Sequence, residues 1–425
     1  MARLTSPSSC GYAVAAMKLW FKYAAGILFG AALFAVSPKA LLEDGGALAS
    51  LAEISLRIGY YVLGALLSVN LPLAVLKLYE EKKFWNIGLR SLRFFILSLF
   101  SASAIGIIAA LIALPVRVPL LSDTSAQIVK GFGSGLMEIF PQNLGAIFLN
   151  AGGMAAPVLV FAMSVGLAMA HDPMAARPVA NLLDSFSRIL HTINTFMTEI
   201  LGVLLIPISA RALYLVTTSL AGGIYASFLA ILAIACFAVI ALILPLAVYL
   251  LSGRNNPFPI IFSGLPAALA AIASGNLRFS SGTTLRQTRE NLGIKRRYNA
   301  ILMPVGLFFG RAGTAFVAAL SFVIILSSYS LLAISIPNLL LIALIIPLAT
   351  LAASASPQNG PLAVLTLGCG LFGKGFENGY LVMVPIAFLL SMTAAFIDAL
   401  WISAAQSLAA RRLVARDMKA PKHFI

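Results

Sequence analysis

Apolar residues along this chain come in runs of about 20, each long enough to cross a hydrocarbon core of ~30 Å as a helix, and polar stretches separate them. The first run follows Lys18 and Lys22 and reaches Val36, and the segment 38–46 after it carries Glu43 and Asp44. A second covers about residues 54–76. The stretch KLYEEKKFWNIGLRSLRFF that follows, with Lys77, Lys82, Lys83, Arg90 and Arg93, reads as a basic loop. A third run spans about 94–114. A fourth, broken at Pro141 and at Gly152 and Gly153, ends near Ala170. A fifth covers about 189–217, with Arg177 and Arg188 in the connection before it, and a sixth covers about 224–251, followed by Arg254.

The last third behaves differently, because small and polar residues interrupt its apolar segments where a simple span would not tolerate them. Residues 258–289 turn at FSSGTT (279–284) and lead into the basic run RQTRENLGIKRR. Residues 336–372 turn at SASPQNGP (354–361). Each is followed by a long apolar helix, about 298–327 and about 380–410. Unpaired backbone survives at membrane depth only where protein or water surrounds it, and paired interruptions of this kind point to a midplane site in transporters. Two readings stand side by side: re-entrant hairpins lining a cavity, or ordinary helical hairpins with their tips in water.

Composition narrows the class. The 425 residues are 60% hydrophobic and only 10% charged, with a mean hydropathy of +0.99, against about 45–50% apolar residues in soluble domains. One membrane domain, all-α and polytopic, fits better than two or three soluble ones. Cys10, Cys236 and Cys369, like His171, His191 and His423, are scattered without metal-ligand spacing, and no nucleophile or phosphate-loop pattern stands in a fitting context. Enzyme chemistry and resident cofactors have no support. The net charge of +15 would suggest nucleic acid in a soluble protein; here it bears on topology, since most of the 29 Lys and Arg fall on one side when both termini are cytoplasmic. Residues 1–17 read as an extension without a signal peptide, with Met17 a possible start, and 411–425 as a basic cytoplasmic tail.

Four ionisable residues interrupt apolar segments, at a cost of about 2.5–3.5 kcal/mol each for a helix-centre position: Glu199, Arg278, Arg311 and Asp398. In GRAGT, Gly310 and Gly313 weaken a helix at its middle and Arg311 brings a permanent charge there. Asp398, Ile402, Ala405 and Gln406 share one face of the last helix, so a polar stripe can point at that break. Either Asp398 meets a ligand, or it pairs structurally with Arg278 or Arg311. Structural roles are the default for Glu199 and Glu53.

The order of these elements and several motifs resemble the dicarboxylate/amino acid:cation symporter family, which has the glutamate-transporter fold. IFPQNLGAIFLNAGGMAAPVLVFAMSVGLAMA (139–170) looks like the family's fourth helix, RFSSGTT (278–284) like the serine-rich tip of its first hairpin, and MPVGLFFGRAGTA (303–315) like its broken helix. The resemblance implies eight transmembrane helices plus two re-entrant hairpins arranged as inverted repeats. It implies an inner-membrane homotrimer, in contact with lipid and not with nucleic acid. Within 18–253 the first, second, fourth and fifth helices form a static scaffold; the third and sixth join a mobile transport core at 254–410. A small polar or anionic solute, of amino acid or dicarboxylate type, binds between the two tips and the broken helix. Carried over by position, Ser280 and Ser281 with Gly282 and Thr283 offer ligands at the first tip, Thr314 a hydroxyl at the break, and Pro357 and Gly360 lie in the outer gate; the polar interruptions themselves add Arg278, Arg311, Gly313, Asp398 and Gln406 as candidate ligands. The chain departs from the family where Asn-Met-Asp is expected and Gly310, Arg311 and Ala312 stand, which removes side chains that hold sodium. Phe95, Ser98 and Leu99 replace the Tyr, Thr and Ser usual in the third helix. Coupling to sodium or to protons stays open, as does a second function: a substrate-sensing or anion-conducting protein that kept the fold without coupled transport.

Overall fold

The computed structural model describes residues 18–113, 147, 155–220, 223–329, 335–355, 360–373, 375–411 and 424. The extension 1–17, the expected helix breaks at Pro141 and at Gly152 and Gly153, residues 356–359 of the second tip expected at 354–361, with Pro357, and the basic tail beyond Arg411 apart from Phe424 lie outside them.

Within the described residues the chain is all helix and turn. Six helices come first: α1 (Leu19–Val36), α2 (Ala47–Glu80), α3 (Phe84–Ala113), α4 (Ala155–His171), α5 (Pro173–Leu220) and α6 (Ala226–Leu251), the last with a π turn at Val239–Ile243. Then come α7 (Phe258–Ser263), α8 (Leu265–Ser274), α9 (Ser281–Glu290), α10 (Arg296–Phe309), α11 (Ala312–Tyr329), α12 (Ile336–Ala355) and α13 (Pro361–Phe372). A 3-10 stretch, Gly379–Ile386, leads into α14 (Ala387–Arg411). Eight of the described helical stretches are long and apolar enough to cross a membrane, counting α10 with α11 and the 3-10 stretch with α14. The protein is therefore a multi-pass membrane protein.

Two loops expected from the sequence are helix instead. The basic stretch after the second apolar run is nearly all helical: α2 continues to Glu80, a turn at Glu81–Lys83 follows, and α3 starts at Phe84. Likewise Arg177 and Arg188 lie inside α5, a helix of 48 residues and about 72 Å at 1.5 Å per residue, more than twice a hydrocarbon core. Hydropathy marks where a helix leaves the apolar layer, not where it ends. Charged residues keep helical propensity in water, Pro173 sits at the first position where proline is tolerated, and Asp184 pairs with Arg188 one turn on at 2.9 Å.

Packing sorts the helices. α1 and α2 lie along α5, and α2 also lies along α4, whereas α3 packs chiefly along α11. Phe228 and Leu232 of α6 join a core built from Phe316, Phe322, Ile346 and Leu365. The stretch from Arg296 to Ser328 is central, with 94% of its most apolar window buried, against 22% for α1 and for α6. The large apolar side chains that α1 and α6 leave exposed, such as Phe29 and Phe237, suit lipid tails and not water.

Candidate functional site

The break between α10 and α11 explains itself residue by residue. Arg311 occupies the N-cap of α11, its carbonyl accepting the first helical bond from Ala315 at 3.0 Å. A guanidinium has no acceptor, so Arg311 cannot cap the free amides at positions two and three as Ser or Asp would. Asp398 of α14 does so from across the interface. Its Oδ1 accepts from the amides of Gly313 at 2.6 Å and Thr314 at 3.2 Å, and its Oδ2 from the Thr314 hydroxyl at 2.6 Å. Asp398 is 1% exposed, and its negative charge faces the positive end of the α11 dipole. The close approach requires glycine at 313, where a Cβ would fall 2.6 Å from the Ala394 carbonyl oxygen and 2.7 Å from the Ile397 Cβ.

Arg311 acts electrostatically on the Asp398 carboxylate, and its Nε donates to the Leu307 carbonyl at 3.2 Å. Arg278, in the turn between α8 and α9, reaches toward the Ser354 carbonyl near the end of α12, with 3.5 Å from Nη2 to oxygen. The turn between α8 and α9 is thus brought to the end of α12, and Arg278 and Arg311 are electrostatic neighbours. Both are buried, at 7% and 3% exposure.

The remaining site residues divide. The hydroxyls of Ser280 and Ser281 bond to their own turn, at Leu277 (2.8 Å) and Arg278 (2.6 Å) carbonyls. Gly282 and Thr283 face the other way: the Gly282 carbonyl accepts from Asn194 at 3.1 Å, and the Thr283 hydroxyl meets Tyr23 at 2.9 Å. Gln406 lies further along α14, where its Nε2 approaches the Met303 sulfur at 3.2 Å and Ile402 abuts Gly306 and Gly310. The polar stripe of α14 therefore does run along the broken helix. Gly360 precedes α13 and touches Ser391, where a Cβ would fall 2.7 Å from its hydroxyl. A cavity of ≈ 240 Å³ opens beside the break, lined by Ser98, Ala312, Phe316 and Trp401 among others.

Sequence reasoning missed the polar seam between α9 and the helices α1 and α5. Arg286 donates to the Thr198 hydroxyl at 2.8 Å and pairs with Glu199 at 2.7 Å, and Glu199 also holds Lys22. Tyr23 and Thr198 gave no signal as single polar residues in apolar runs. Glu199 did stand out by charge and Arg286 was one residue of a basic run, but nothing in the sequence joined residues so far apart.

The site is thus a broken helix capped from the last helix, with the turn between α8 and α9 beside the end of α12. A model of the sodium:dicarboxylate symporter family matches residues 17–411. The chain belongs to that family. It is a family of symporters and not of enzymes. Relatives agree: the serine/threonine transporter SstT of Enterococcus faecalis is 25% identical over 292 residues, 66% of this chain and 65% of that protein. Excitatory amino acid transporter 4 of Mus musculus and of Rattus norvegicus is 24% identical over 282 residues, 65% of this chain and 49% of each of those proteins. The matched stretch thus spans less than two thirds of each relative.

Proposed function

We propose that this chain is a secondary active transporter working by an elevator motion, with a small anionic or zwitterionic amino acid or a dicarboxylate as its solute. In this reading 258–289 and 336–372 are re-entrant hairpins related as inverted repeats. α7 to α14, with α3 and α6, form the moving core, and α1, α2, α4 and α5 the scaffold of a homotrimer in the inner membrane, with both termini cytoplasmic. The observation that carries it is the coupling of Arg278, Arg311 and Asp398 at the broken helix, with Arg278 reaching from the turn after α8 toward the end of α12. Among the described residues, two guanidinium groups and one carboxylate meet there in a low-dielectric surround, a setting that suits an anionic group on the ligand. The names of the relatives, a serine/threonine transporter and an excitatory amino acid transporter, support an amino acid substrate.

The residues present do not fit sodium at the family's usual position in the broken helix. Gly310 and Ala312 offer no side-chain oxygen, the Leu307 carbonyl is already engaged by Arg311, and Arg311 itself repels a cation. No step is therefore assigned to sodium there. Uptake of labelled amino acids and dicarboxylates into proteoliposomes, in sodium and in choline, tests both parts. Saturable accumulation that is similar in the two media is the expected result. A large saturable sodium requirement would overturn the argument from the break, and passive conductance without accumulation would replace the carrier by a channel or sensor.

A further inference from the structure

We propose that the cavity bounded by α2, α5 and the start of α10 binds a phosphoryl anion, carried by an anionic phospholipid headgroup or free in solution. The cavity has ≈ 290 Å³ and is lined by Asn70 and Lys77 of α2, Asp184 of α5, and Lys295, Arg296 and Arg297 at the head of α10. It lies away from the Arg278 and Asp398 site and does not depend on the transport reading. Four cations face one carboxylate. That carboxylate is already shared, with Lys77 at 3.2 Å, Arg188 at 2.9 Å and Arg296 at 3.8 Å. Arg297 pairs with Glu81, which also holds Lys83 at 3.7 Å. The acidic groups are oversubscribed, and positive charge is left over.

The donors point the same way. Asn70 is 3% exposed; its Oδ1 accepts from the Ser187 hydroxyl, while its Nδ2 has no hydrogen-bond partner. Arg296 Nη2, 3.8 Å from the Asp184 carboxylate, and Arg297 Nε are also buried and make no hydrogen bond either. Such donors are costly when left unmade, so three around one cavity call for an acceptor that the described residues do not supply. The head of α10 adds a fourth element: Lys295 at its N-cap makes no side-chain cap, and no acidic residue stands in the first turn, so the positive end of this 14-residue helix is uncompensated. Guanidinium forks and a helix N-terminus are the groups that hold phosphate oxygens. A solvated basic face would explain the arginines but not the buried amide of Asn70. The volume lies near the lower end of small-molecule pockets, about 300–1,000 Å³, which suits a headgroup. The basic segments around it are those that charge bias assigns to the cytoplasmic surface, where anionic lipids gather and basic pockets between helices bind them.

The test uses the full chain purified in neutral detergent, with phosphatidylglycerol, phosphatidylcholine or inorganic phosphate added. Native mass spectrometry reads retention and thermal melting reads stabilisation. The expected result is selective retention of phosphatidylglycerol over phosphatidylcholine with a rise in melting temperature of several degrees, reduced at least tenfold in apparent affinity by R296Q/R297Q and retained by the remote pair K39Q/R57Q. If inorganic phosphate alone gives the same saturable rise, lost in R296Q/R297Q, the site stands with a soluble ligand as its source. Equal retention of the two lipids with no rise from phosphate, or a phosphatidylglycerol effect that survives R296Q/R297Q, overturns the proposal. Should that variant fail to fold, N70D replaces it: a carboxylate inside the cavity keeps the contact to Ser187 and should abolish both effects, whereas full retention by N70D overturns the proposal equally.

Discussion

Replacing Asp398 tests the account of the broken helix most directly, because its carboxylate accepts three hydrogen bonds and each can be followed. In Asp398→Ala the amides of Gly313 and Thr314 lose their acceptor in a dry interface. A buried donor left unsatisfied costs about 1–3 kcal/mol, so the two amides together account for about 2–6 kcal/mol. The lost charge at the helix N-terminus adds up to about 2 kcal/mol in a buried setting. Relief of the carboxylate's own desolvation offsets part of this, which places the net loss at about 3–5 kcal/mol, the range for breaking one side of a buried charged pair. Asp398→Asn keeps one oxygen for the two amides. Its new amide can donate to the Thr314 hydroxyl oxygen, so about 1–2 kcal/mol should be lost, the difference between a charge-assisted and a neutral bond. Unfolding in mixed micelles with increasing dodecyl sulfate, followed by circular dichroism, should order the variants wild type, Asn, Ala. Thr314→Val should cost about 1 kcal/mol alone and less on top of Asp398→Ala, since the partner is already gone. An alanine variant within 1 kcal/mol of wild type, or an asparagine variant as unstable as alanine, would refute the capping argument.

Three further outcomes follow from the same geometry. Gly313→Ala should lower stability by about 1–3 kcal/mol, as overpacking does, because the obstructing atom at 2.6 Å is a backbone oxygen that cannot rotate away; melting in detergent checks it. Glu199→Gln should remove the ion pairs to Lys22 and Arg286 together, leaving Arg286 on Thr198 and Glu290. With Glu199 37% exposed, the loss is held by solvent screening to about 1 kcal/mol and should shrink as salt is raised from 0.05 to about 0.5 M. Tyr23→Phe removes a hydroxyl bonded to the Thr198 carbonyl and to Thr283, both at 2.9 Å. It should cost about 1–2 kcal/mol with no salt dependence, so parallel salt titrations of the two variants separate charge from hydrogen bonding.

Much of the candidate site was legible because its oddities are local. Glycines flanking an arginine inside an apolar run announce a break, and α10 and α11 do part at Gly310 and Arg311. The first interruption was legible, but its turn was expected at 279–284 and lies at 275–280: Gly275 ends α8 at φ +63°, a backbone that favours glycine, and α9 already begins at Ser281. What was not legible is pairing across distance. Arg311, one of the two partners expected for Asp398, does act on its carboxylate, but the three hydrogen bonds Asp398 accepts come from Gly313 and Thr314, two of them from backbone amides, which have no sequence signature.

The sequence by itself determined what depends on each residue's own partition between water and hydrocarbon. It marked the membrane class, the apolar runs, the interruptions in the last third and the residues too polar to sit there without a partner. The tertiary structure decided what depends on neighbours. Helices run past the hydrocarbon edge, because backbone hydrogen bonds continue wherever propensity allows. The carboxylate of Asp398 caps α11, because two free amides and a hydroxyl converge there at hydrogen-bonding distance. Arg286 bolts α9 to α5, because folding places Glu199 and Thr198 beside it. A buried polar group takes whichever partner the packing leaves within about 3 Å, and that choice is made in three dimensions.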